Sequence, residues 1–134
     1  MRVLLPILLS LTLAACAVAP DNNQIIASNA YTSTDSSYGF SADKPVNLGG
    51  FLRGTQYEGA HIEYFDNLRG PAGQLVQAIR LGSCCPFEDS SLPFGGGLLD
   101  MYELRYDGLA KPVVIYVNLY KFEQPLAPSG FSLL

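Results

Sequence analysis

The sequence predicts one small α+β domain, a mainly antiparallel sheet of about four strands with one helix on a face, behind a signal peptide and a flexible tether. Three observations predict it. Two apolar runs, residues 98–106 and 113–120, flank the turn signals Asp107-Gly108 and Lys111-Pro112. Aromatic and apolar residues recur at helical spacing between residues 56 and 68. The composition changes from polar to apolar near residue 43, with no internal repeat and no run of like charge.

The elements follow in chain order. Lys44 precedes Pro45, which disfavours helix at its predecessor, so residues 44–50 begin extended. In residues 56–68, Tyr57, His61, Tyr64, Phe65 and Leu68 share a helical face, while Glu58, Glu63 and Asp66 fall largely elsewhere on the turn. Gly59 weakens that helix and Gly70-Pro71 ends it. Residues 74–81 read as a strand, and two stronger strands follow at 98–106 and 113–120. The last of these is apolar or aromatic on both faces except at Asn118, the pattern of a strand inside a sheet. An extended tail from residue 124 is expected to pack Leu126 and Phe131.

The first residues address the chain. Arg2, an apolar stretch over residues 3–13 and small residues before Cys16 make a secretory signal. A membrane span needs about 18 apolar residues or more, and Pro6, Ser10 and Thr12 interrupt this shorter run. Leu13-Ala14-Ala15-Cys16 resembles a bacterial lipobox. That resemblance implies diacylglycerol transfer to the Cys16 sulfur, cleavage before it, and acylation of the new amino terminus, for instance with palmitate. Ala17-Val18-Ala19 is a rival site for ordinary signal peptidase, but it would leave Pro20 first in the mature chain, which such cleavage generally refuses. Residues 1–15 are thus read as a lipoprotein signal peptide, 16–42 as lipidated Cys16 and tether, and 43–134 as the domain. The tether, rich in Asn, Ser, Thr, Ala and Asp, would reach about 28 Å as a coil. Ile25-Ile26 and Tyr38 to Phe40 are its apolar points, able to dock on the domain. Ala17 after the lipidated cysteine resembles the pattern of an outer-membrane destination on the periplasmic side, rather than inner-membrane retention.

Charge narrows the partners. The formal net charge is −4, and loss of Arg2 makes the mature chain more acidic still. Scattered Lys and Arg form no basic stripe, which argues against nucleic acid and against electrostatic binding to anionic lipid. The membrane is expected as a partner through the Cys16 lipid, with a small molecule or an envelope protein as ligand. No cofactor is expected.

Three stretches carry a family resemblance. Lys44 to Gly50 reads K-P-V-N-L-G-G, Leu68 to Gly73 reads L-R-G-P-A-G, and Ser83 to Phe87 reads S-C-C-P-F. With the later GLLDMYEL and the closing VNLYKFEQPLAPSGF, they resemble a family of small Gram-negative lipoproteins without established activity, over nearly all of residues 43–132. Many members carry the name 2-dehydro-3-deoxyphosphooctonate aldolase. That activity implies a (β/α)8 barrel of about 250 residues, and the domain here has under half of that. It also lacks the Lys and Arg clusters that would clamp a sugar phosphate and phosphoenolpyruvate.

The chain has three cysteines. With Cys16 in a thioether, any intramolecular disulfide must join the neighbours Cys84 and Cys85, in a compartment where disulfides persist. Several readings stay open. The pair is two buried thiols, or a structural disulfide closing a turn between strand and loop. It is a rigid ligand platform with Phe87 and Phe94. Or it is a redox or soft-metal pair, for which only His61 and Met101 could complete a ligand set; no metal site is assigned. A thioredoxin-type C-x-x-C is absent. A catalytic reading would join Cys84 or Cys85 to His61, with Asp100 orienting the base, against His61 as a half-buried core residue. Asp100 and Glu103, three apart on a strand, face opposite ways and make no acid–base pair; one of them is semi-buried, and Arg80 is a partner for Asp100. Gly95-Gly96-Gly97 is a hinge, or a close backbone approach, and lacks the ending of a phosphate loop. The expectation is a binding or structural module of the envelope, the rival being an enzyme or thiol/redox protein acting through Cys84 and Cys85.

Overall fold

The structure, a computed structural model, describes residues 31–134. Residues 1–30, which the sequence reads as a signal peptide, lipidated Cys16 and the first part of a tether, lie outside the described residues. Seven elements follow in order: β1 (Val46–Asn47), α1 (Ala60–Asn67), β2 (Leu68–Arg69), β3 (Gln77–Glu88), β4 (Gly96–Arg105), β5 (Val113–Asn118) and β6 (Ser132–Leu133). The main sheet runs β1-β5-β4-β3, and β2 pairs with β6 in a second, two-stranded sheet. Only β1 lies parallel to its neighbour; β5, β4 and β3 are antiparallel. The architecture is the predicted one: α+β, with a mainly antiparallel four-stranded sheet and one helix.

Burial explains the order. β5 lies between β1 and β4, as its two apolar faces require, and both Ile115 and Val117 are wholly buried. On the helix side of the sheet, Tyr102 and Leu104 of β4 join Ile115 and Val117. Helix α1 presses Tyr64 and Phe65 onto this layer, with Phe65 and Tyr102 ring centroids 4.6 Å apart. The Tyr64 hydroxyl donates to the Leu126 carbonyl at 3.0 Å, and burial pushes its pKa well above the usual tyrosine range. The helix is shorter than predicted. Gly59 takes φ 79°, a left-handed turn that glycine allows, so regular helix starts only at Ala60 and Tyr57 is left in the preceding loop.

Both ends of the described chain are tied down. Phe131 is buried, Leu126 half-buried, and Leu133 of β6 pairs with Leu68. Residues 31–42, which the sequence places in the tether, belong to the folded unit. Thr32 bridges Ala127, the Tyr38 hydroxyl accepts from the Leu126 amide, and Phe40 packs on the core. Burial of Tyr38 and Phe40 offsets the entropy of ordering the polar residues around them. Among the described residues no helix is long and apolar enough to cross a membrane.

Candidate functional site

The cysteines lie inside a strand. β3 is an edge strand, and it continues from Gln77 through Cys84, Cys85 and Pro86 to Glu88, paired with β4 throughout. The turn expected at the cysteines is therefore replaced by irregularities within the ladder, between Arg80 and Gly82 and between Cys84 and Pro86. Cys84 opposes Leu99 and Pro86 opposes Leu98, which leaves Cys85 as the extra, unpaired residue. Cys85 has φ 48°, and among the described residues no other non-glycine has positive φ. Pro86 lacks a donor for a further strand, which suits it to an edge.

Cys84 and Cys85 form a disulfide with each other. As a staple of the whole fold it is weak: a loop of two residues removes little entropy from the unfolded chain, about 1 kcal/mol. Replacing both cysteines by serine should therefore lower unfolding stability by only about 1 kcal/mol in urea denaturation. A loss several times larger would mean that the pair holds together more than its own bulge.

The residue before the disulfide ties the bulge to the core side. The Ser83 hydroxyl donates to Asp100 at 2.8 Å, Arg80 donates to both Asp100 oxygens at 2.8 and 3.1 Å, and Arg80 Nη2 lies 2.9 Å from the Ser83 hydroxyl. Asp100 is thus the semi-buried carboxylate, 8% exposed, with Arg80 as its partner. Burial raises its pKa, but the hydrogen bonds from Arg80 and Ser83 and the Arg80 charge outweigh that, so the net shift is downward.

The trio Cys84 or Cys85, His61 and Asp100 is not assembled as nucleophile, base and orienting group. Both thiols are in the disulfide, and the Asp100 oxygens are taken by Arg80 and Ser83. Cys84 pairs with Leu99, and alternation along β4 puts that position on the opposite face from Asp100. Among the described residues His61 Nδ1 is buried without a hydrogen-bond partner, and a Cβ added at Gly50 would overlap it. Burial lowers the His61 pKa, and the Asp100 charge opposes the shift. A soft-metal set is split in the same way, since Met101 shares the Cys84 face while His61 sits on the helix side. Among the described residues no three His, Cys, Asp or Glu side chains group as metal ligands.

An aromatic shelf adjoins the disulfide instead. Phe87 opposes Gly97, and its ring centroid lies 6.0 Å from that of Tyr120, which lies 5.8 Å from that of Phe51. A Cβ on Gly97 would come within 2.9 Å of Tyr120 and 3.2 Å of Phe87, so glycine makes room for both rings. Phe51 is 60% exposed. Phe94 is 98% exposed in the loop after β3, and it makes no ring contact with Phe87. Of the two expected platform residues, only Phe87 joins the shelf. Sequence reasoning missed Phe51 and Tyr120. Alternation through Tyr116 and Asn118 could have found Tyr120, whereas Phe51 follows two glycines and has no periodic signal. No protein family, no curated protein and no solved structure matches this chain.

Proposed function

We propose that this chain is a lipid-anchored cell-envelope protein whose periplasm-facing domain is a small binding module presenting the Cys84–Cys85 ring and its aromatic shelf. One observation carries the binding reading. The disulfide is expected to contribute little to global stability, yet a bulge, a positive φ at Cys85 and the Ser83–Asp100–Arg80 network all fix its place beside the half-buried rings of Phe87 and Tyr120 and the exposed ring of Phe51. A rigid, partly apolar surface with satisfied polar groups behind it suits recognition. The anchor rests on Leu13-Ala14-Ala15-Cys16, and the outer membrane, rather than the inner, is the destination that Ala17 favours.

Fractionation tests the anchor. The natural chain should sediment with membranes, and Cys16→Ser should release nearly all of it to the soluble periplasm, because the attached acyl chains supply the membrane affinity. Continued sedimentation of the variant would refute lipidation as the tether. Alkylation without reductant, read by intact mass, tests the ring. Neither Cys84 nor Cys85 should be modified until the disulfide is reduced. Modification of both at once would replace the binding reading with thiol chemistry.

A further inference from the structure

A groove of about 390 Å³ lies between the start of α1, the loop before it and the C-terminal tail, and neither Cys84 nor Cys85 lines it. One wall is a pair of stacked rings, Tyr57 on Phe122, with centroids 3.9 Å apart and planes within 10° of parallel. Its polar lining includes planar amides and carboxylates: Gln56, Glu58, Glu63, Asn67 and Gln124. Several such groups elsewhere serve the fold. Asn47 bonds Glu123, Gln74 bonds the Asp107 carbonyl, and Asn118 receives two backbone amides. Glu58 accepts from the Gly54 amide, whereas the side chains of Gln56, Glu63, Asn67 and Gln124 make no hydrogen bond among the described residues, so their donors and acceptors are open to a ligand.

Charge and shape then select the ligand class. Among the described residues no Lys, Arg or His lines the groove, while Glu58 and Glu63 do, which disfavours phosphates, sulfates and acidic sugars. A flat aromatic slab beside planar donors and acceptors matches a pyranose, with its apolar C–H face against a ring and its hydroxyls in the plane of the amides. The volume lies at the small end of ligand pockets, enough for one or two such rings. We infer that this groove is a saccharide site for a neutral or amino-substituted sugar of one or two rings. The site shares no residue with the disulfide shelf, so its failure would leave the binding reading of that shelf intact.

The test is a titration of the full chain with N,N′-diacetylchitobiose, followed by amide resonances. Saturable shifts are expected at Tyr57, Glu63, Asn67 and Gln124, with a dissociation constant of about 1 mM, in the weak range for so open a site. Tyr57→Ala should weaken binding about tenfold, and Asn67→Ala should do so with the stacked rings intact. A digalacturonate should bind at least about tenfold more weakly. Three results would overturn the inference: no saturation, shifts confined to the Cys84–Cys85 shelf, or equal binding of an acyclic amine such as spermidine, which would make the groove a simple cation site. Unchanged affinity in both variants, each with a native spectrum, would overturn it as well.

Discussion

Gly96→Ala is expected to destabilise the domain by about 3 kcal/mol, from a strained backbone plus a forced clash. Gly96 opens β4 with φ 152°, a conformation that side chains rarely adopt. An added Cβ would overlap the Phe87 carbonyl oxygen and lie 3.1 Å from the Glu88 Cα. Neither obstacle is the end of a flexible side chain, so β3 and β4 must separate where Phe87 meets Tyr120. Gly95→Ala is the control. It has φ 72° and nothing within 4 Å of its Cβ position, so only the conformational term remains, about 1 kcal/mol. Urea denaturation of both variants decides. Equal losses would mean that the β3–β4 contact does not confine the chain at Gly96. A selective loss should come with shifted Phe87 and Tyr120 resonances, because the same contact shapes the shelf.

Those glycines show where sequence reasoning reaches and where it stops. A run of three glycines fits a hinge or a close approach, and composition alone does not choose between them. The choice depends on Phe87 and Tyr120, which are ten and twenty-odd residues away and meet the glycines only through the ladder. The central strand was legible for the opposite reason. Residues 113–120 are apolar on both faces, a local property that decides a strand's place in a sheet without knowledge of its partners. The helix was legible from its spacing, and its start was not, because Gly59 could have been tolerated within a helix but instead takes a left-handed turn.

The cysteine segment failed for a further reason. Gly82, two cysteines and a proline break alternation and lack strand propensity, so residues 82–86 read as a turn. Four residues of β4, Leu98 to Met101, pair with this segment and hold it extended, and the two irregularities absorb the residues that do not fit. Tertiary pairing overrode local preference there. The candidate site is half legible in consequence: the sequence offers Phe87 and, as one of several open readings, the disulfide, while Phe51 and Tyr120 arrive by way of the sheet.

Asp100→Asn is expected to remove about 2 kcal/mol at neutral pH, a figure for hydrogen bonds to a charged acceptor. The carboxylate is held on a buried face, where it accepts from Arg80 twice and from Ser83 once. An amide in its place keeps one acceptor and turns a donor toward groups that are themselves donors. Arg80 and Ser83 are exposed and can rehydrate, which keeps the loss well below that for a fully buried pair. The pH dependence distinguishes charge from shape. The folded pKa of Asp100 lies below its unfolded value of 3.8, so the unfolded chain binds the proton first as pH falls. The stabilisation is complete above the unfolded value and is lost as pH drops through the folded one. The difference between natural chain and variant should therefore be constant between about pH 5 and 7 and shrink below the unfolded value. A difference that stays constant into acid would assign the effect to packing. In that case the Ser83–Asp100 contact would position the disulfide by shape alone, and the bulge at Cys85 would keep its geometry even with the carboxyl neutral.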